Sequence, residues 1–104
     1  MINKTTPARA EKVPVAIDGR IMHRKGNLEV ILLTLQPGDT VPLHKNPFDV
    51  LFAGISGNAR MISGSDPQTI YPGETIFASK EEDRGWENNG KESCRILVIK
   101  ILSH

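Results

Sequence analysis

The chain has 104 residues, enough for one domain, and sets thirteen Lys and Arg against twelve Asp and Glu, a balance with no electrostatic footprint for nucleic acid or an anionic membrane. The single cysteine, Cys94, excludes an internal disulfide and fits a reducing cytosol. No apolar run approaches a membrane span, and the start MINKTTPARAEK lacks the apolar core of a signal peptide, so a cytoplasmic protein is expected.

Residues 1–11 are polar and basic with Pro7, which predicts a flexible N-terminal arm before a barrel domain over 12–104. Val13 to Ile17 carries Pro14 and suits an edge strand. Asp18-Gly19 signals a turn and Ile21 to Arg24 a short return strand. After Lys25-Gly26-Asn27, the run LEVILLTL (Leu28 to Leu35) is apolar, partly β-branched and bounded by turn residues, which predicts a buried strand. Further strands are expected at Val41 to His44, Val50 to Ile55, Ala59 to Ile62, Thr69 to Tyr71, Glu74 to Ala78, Gly85 to Glu87 and Cys94 to Leu102. Turn signals between them recur at the spacing of an all-β sandwich or barrel, and no stretch shows sustained helical periodicity. In the last strand, CRILVIKIL, both faces are mostly apolar. One face should close the core. The other should be covered by N-terminal strands of the same chain or by a second copy in a homodimer, and the short chain favours the homodimer.

Two proline-glycine phrases punctuate the chain: PGDTVPLHKNPFDVLFAGISG, Pro37 to Gly57, and PGETIFASKEEDRGWENNG, Pro72 to Gly90. Together they resemble the two motifs of the cupin superfamily. The resemblance implies an all-β, single-domain cupin double-stranded β-helix (jelly-roll) barrel of the small cupin-2-like kind. In the first motif Gly38 is followed by five residues and then His44; Asn46 stands where a second histidine is expected, Val50 where a glutamate is, and Gly57 closes the phrase. In the second motif Pro72-Gly73 supplies the turn, Arg84-Gly85-Trp86 occupies the histidine-glycine-aromatic stretch, and Asn88 or Asn89 matches the asparagine.

The departures shape the functional expectation. The metal positions of the resemblance are filled by His44, Asn46, Val50 and Arg84. Imidazoles and a carboxylate suit first-row transition metals, whereas an amide oxygen is a poor ligand, valine is none and a guanidinium is a permanent cation. No resident metal or other cofactor is expected; a weak metal at His44 is the outside case, and rescue by Asp49 needs a register shift. Strand alternation from the motif positions puts His44, Asn46, Val50, Phe52, Arg84 and Trp86 inside the barrel, with Pro42 and either Met61 or Arg60 beside them. His44, Asn46, Phe52, Arg84 and Trp86 are the candidate ligand-binding residues. Arg84 would replace the metal's charge and take a carboxylate or phosphate on its planar fork, while the aromatic rings stack on the ligand. The competing expectation has Arg84 pairing at the rim with Glu81, Glu82, Asp83 or Glu87. His23 and His104 are expected at the surface, and Cys94 as a buried small apolar residue. Three functions remain open: a metal-independent binding or sensor module for a small organic anion; a cupin enzyme, either metal-dependent and oxygenase- or isomerase-like, or metal-free with His44 as base; and an accessory barrel whose cavity is filled.

Overall fold

The computed structural model describes residues 1–64 and 66–102. Within them ten strands form two antiparallel sheets, and no helix is long and apolar enough to cross a membrane. In chain order the strands are β1 (Glu11–Lys12), β2 (Asp18–Lys25), β3 (Leu28–Leu35), β4 (Thr40–His44), β5 (Asp49–Ser56), β6 (Ala59–Ser63), β7 (Gln68–Ile70), β8 (Thr75–Ala78), β9 (Arg84–Glu87) and β10 (Cys94–Ile101). The larger sheet runs β1-β2-β3-β10-β5-β8 and the smaller β4-β9-β6-β7. Strand β10 therefore lies between β3 and β5, which is why its inward residues Cys94 and Ile96 are buried at 1% and 0% exposure.

The two proline-glycine phrases fold alike. In each, proline presets the second turn position and glycine takes the positive φ that the third requires, +89° at Gly38 and +86° at Gly73, giving two type II turns. Asp39 N–H donates to Gln36 O at 2.9 Å, and Glu74 N–H to Tyr71 O at 3.1 Å. Both turns are closed again by a carboxylate that accepts from the first residue's N–H: Asp39 from Gln36 at 2.8 Å, Glu74 from Tyr71 at 2.9 Å. The first turn docks on Asn88 and the second on Gly54 through paired backbone hydrogen bonds.

The core lies between the sheets. Leu35, Val50, Phe52, Met61, Ile70, Trp86, Cys94 and Ile96 form one buried cluster, with Ile17, Leu33, Val41 and Val98 packed against it. Burying a side chain the size of Leu35 or Ile96 contributes about 2–3 kcal/mol. Met61, not the exposed Arg60, is the inward residue of β6.

The N-terminal region departs from the sequence expectation. Val13 to Ile17 is not a strand. Pro14 interrupts pairing, and the segment is an irregular strap held by Val13 N–H to Gly19 O at 2.7 Å and Val15 N–H to Val13 O at 2.8 Å. Asp18-Gly19 is the start of β2 instead of a turn, because Asp18 pairs with Thr34 of β3 and its carboxylate takes Arg20 Nε at 2.9 Å. Strand β1 lengthens the large sheet at its edge beside β2.

Candidate functional site

Between the two sheets, at the end where the Val13–Ile17 strap crosses, the barrel opens into a cavity of about 480 Å³. Its walls are mostly apolar: Val13, Ile17 and Val15 of the strap, Ile31 and Leu33 of β3, Val98 of β10. All five candidate residues, His44, Asn46, Phe52, Arg84 and Trp86, line it together, as do Val50 and Pro42. Two features of β4 and β9 bring them there. Arg84 and Trp86 are two apart on β9 and share its inner face. The β4–β9 register slips between Val41 and His44, so that His44 pairs directly with Arg84. Gly85 permits this: the β4 backbone at Val41 to Leu43 runs so close that a Cβ at position 85 would collide with the Val41 carbonyl.

Arg84 is 2% exposed and is the largest fully buried side chain. Its Nη1 donates to the backbone carbonyl of Glu82 at 3.0 Å. Its Nη2 donates to the Asn46 side-chain oxygen at 2.8 Å, in the amide orientation that the surrounding donors and acceptors require. Both acceptors are neutral. Among the described residues no carboxylate forms an ion pair with this guanidinium, so the rim pairing with Glu81, Glu82, Asp83 or Glu87 is absent. Burial lowers the Arg84 pKa from its ordinary value, but a guanidinium stays protonated at any physiological pH.

The acceptors belong to one clasp. Loop 79–83 and segment 45–49 are joined by Glu81 N–H to Asn46 O at 2.9 Å and by Lys80 N–H to the Asp49 carboxylate at 2.8 Å. Glu81 takes a left-handed φ of 70° to make that turn. Asp49 is thereby engaged outside the cavity and is not among its lining residues.

The other cation at the cavity, Lys100, is already met by Glu29 at 3.3 Å and lies 5.8 Å from the Phe48 ring centroid. His44 is exposed at the mouth, and its Nδ1 lies 2.9 Å from Pro42 O. A carbonyl only accepts, so Nδ1 carries the hydrogen and Nε2 of the neutral ring is left as an acceptor. Phe52 and Trp86 meet edge to face, centroids 5.1 Å apart at 78°, so they pack on each other and do not form a two-sided slot for a flat ligand. Trp86 Nε1 is buried without a hydrogen-bond partner among the described residues.

These residues do not fit a resident transition metal. His44 is the one good ligand at the four motif positions, and among the described residues no three His, Cys, Asp or Glu side chains converge. Of the remaining candidates, His23 is exposed on β2, His104 lies outside the described residues, and Cys94 is buried with its thiol pKa raised by burial. The strap's part in the cavity was not visible in the sequence. Its apolar residues Val13, Val15 and Ile17 alternate, but that pattern reads as a strand.

The cupin-domain family pattern matches residues 31–100. Auxin-binding protein 4 of Zea mays is 27% identical over 96 residues, which are 82% of this chain and 47% of the maize protein, so the chain spans about half the length of that relative. The polyketide cyclase RemF from Streptomyces resistomycificus superposes with a TM-score of 0.86 at 16% identity, covering 99% of this chain and 81% of the cyclase. An uncharacterized conserved protein with a double-stranded β-helix domain from Klebsiella pneumoniae gives 0.81 at 14% identity, covering 97% and 90%. At these identities the likeness is one of fold, the double-stranded β-helix. With the family pattern spanning most of its length, the chain belongs to the cupin-domain family.

Proposed function

We propose that this cupin barrel is a metal-independent binding module for a small organic anion, held by Arg84. One observation carries the reading: a guanidinium 2% exposed, with only neutral acceptors among the described residues, at the wall of an open, apolar cavity. An uncompensated buried charge is costly, and a carboxylate delivered by a ligand offsets that cost. Asn46 holds the guanidinium's bearing and His44 adds a hydrogen-bonding group at the mouth. The open cavity argues against a barrel filled by its own side chains. The maize relative is named for binding auxin, which makes auxin a natural member of a test panel. Trp86 is the single tryptophan and lines the cavity, so its fluorescence reports occupancy directly. Titration with carboxylates, sugar phosphates and auxin should give saturable quenching that Arg84→Met abolishes. Equal responses from the native protein and Arg84→Met would refute the reading.

We propose also that the barrel works as a homodimer through the outer face of its large sheet. That face carries Leu28 and Val30 of β3, Leu51 of β5, Phe77 of β8, and Leu97 and Ile99 of β10, paired in register across four strands. Phe77 is 59% exposed and Leu28 40%. Strand β1 lengthens the sheet at its edge beside β2. The accessible surface is 6610 Å² for 11.5 kDa, against about 5,800 Å² for a typical monomer of that mass. The excess, to which the exposed Met1 and Ile2 also contribute, is of the order of the ~800 Å² each partner gives to a standard interface. Sedimentation should show a dimer that Ile99→Glu dissociates; a native monomer at high micromolar concentration would exclude it.

A further inference from the structure

We propose that the His44–Arg84 pair makes this cavity a proton-transfer site that interconverts the keto and enol forms of 2-oxo acids with apolar side chains. The inference rests on the anion-binding reading, since Arg84 must hold the substrate carboxylate. His44 and Arg84 are opposite each other across β4 and β9, so their side chains leave the same face from Cα atoms about 5 Å apart, and both line the cavity. The bond from Nδ1–H to Pro42 O fixes the imidazole plane and directs the free lone pair to Nε2. That is a base of set orientation beside a cation of set orientation. Exposure of His44 at the mouth lets water replace the proton it carries.

The chemistry selects the substrate class. In a 2-oxo acid a carboxylate oxygen and the ketone oxygen lie on adjacent carbons, a spacing the guanidinium fork spans. Two of its N–H groups are engaged by Glu82 O and Asn46, and the others have no acceptor among the described residues. His44 Nε2 takes a proton from C3. The C3–H bond breaks and its electron pair becomes the C2–C3 π bond, while the ketone π pair moves onto oxygen as an enolate. Arg84 stabilises the negative charge that develops there. The imidazolium then returns the proton to the enolate oxygen, giving the enol, or to C3, giving back the ketone. No oxidant, reductant or second substrate is needed. The side chain on C3 would lie against Ile31, Leu33, Val98 and the strap, which admit apolar groups and disfavour a second charge.

The test uses the full chain with 4-methyl-2-oxopentanoate in D₂O, following loss of the C3 proton signal by NMR and occupancy by Trp86 fluorescence. Exchange should be first order in protein, saturate with substrate, and fall about 100-fold or more in His44→Gln at substrate concentrations that saturate its quenching. A circular-dichroism melt of His44→Gln, a change at an exposed residue, checks that it is folded. Saturable quenching without exchange above buffer, or equal exchange in His44→Gln, overturns the proton-transfer inference and leaves the binding reading intact. No saturable quenching by any carboxylate overturns both.

Discussion

Asn88 and Arg84 are four positions apart, both reached from β9, and almost equally buried at 1% and 2% exposure, yet their surroundings differ in kind. Asn88 donates from Nδ2 to Leu35 O at 2.9 Å and to Glu92 O at 2.8 Å, and its Oδ1 accepts from Gly90 N–H at 2.9 Å. It ties the end of β3 to the turn before β10, with both N–H groups and the oxygen engaged. Arg84 has two neutral acceptors, no counter-charge among the described residues, and a cavity beside it. A buried polar group that satisfies itself within the fold is structural. One that leaves a charge unanswered beside open space is where the proposed ligand would bind.

That contrast can be broken by mutation. The largest effect is expected for Asn88→Ala, which strands the Leu35 and Glu92 carbonyls and should cost about 3 kcal/mol in urea unfolding; a loss below about 1 kcal/mol would remove Asn88 from the structural class. Arg84→Met should do the opposite. Ligand quenching should vanish, while stability stays within about 1 kcal/mol of native or rises, because an unpaired buried charge is replaced by an apolar chain. A loss above about 2 kcal/mol would put Arg84 in the same class as Asn88. Asn46→Asp is a finer test. A carboxylate at that site would answer the guanidinium from within and should weaken anion affinity about tenfold, some 1.4 kcal/mol, read by the same fluorescence titration.

The smallest effect concerns Lys100, the cavity cation that is already paired. Burial pushes the Glu29 carboxyl up, but its hydrogen bonds to Arg24 and Lys100 and their attraction outweigh this and hold the folded pKa below 4.5. A carboxyl depressed by folding adds stability above its unfolded pKa and loses it as pH falls through the folded value. Stability below pH 4.5 should therefore fall less steeply in Glu29→Gln than in the native protein. The difference should be under about 1 kcal/mol, since Arg24 is more than half exposed. Identical acid limbs would mean that Glu29 does not answer Lys100 in solution.

Much of the barrel was legible because its signals are local. Pro37-Gly38 and Pro72-Gly73 announce type II turns by residue type alone, and LEVILLTL is a strand from Leu28 to Leu35 as its composition predicts. Alternation placed Phe52, Arg84 and Trp86 at the cavity, while the register slip in β4 brought His44 to it and the loop after β4 brought Asn46. What the sequence withheld depends on contacts distant along the chain. Alternating Val13, Val15 and Ile17 read as a strand until Pro14 and the bond to Gly19 made them a strap. The competing expectation paired Arg84 with Glu81, Glu82, Asp83 or Glu87 at the rim, but its link to that loop is the Glu82 backbone carbonyl, which no side-chain pattern records. The edge-to-face meeting of Phe52 and Trp86 is set by packing between sheets, which alternation does not specify.

The left-handed backbone at Glu81 has a consequence beyond its own turn. Its amide grips Asn46, whose side chain holds one arm of Arg84, and its neighbour Glu82 holds the other. The aim of the guanidinium is thus governed by a single hinge-like joint remote from the apolar walls. If Arg84 holds a ligand as proposed, substitutions at these few loop positions would re-aim it while leaving the barrel's core packing in place.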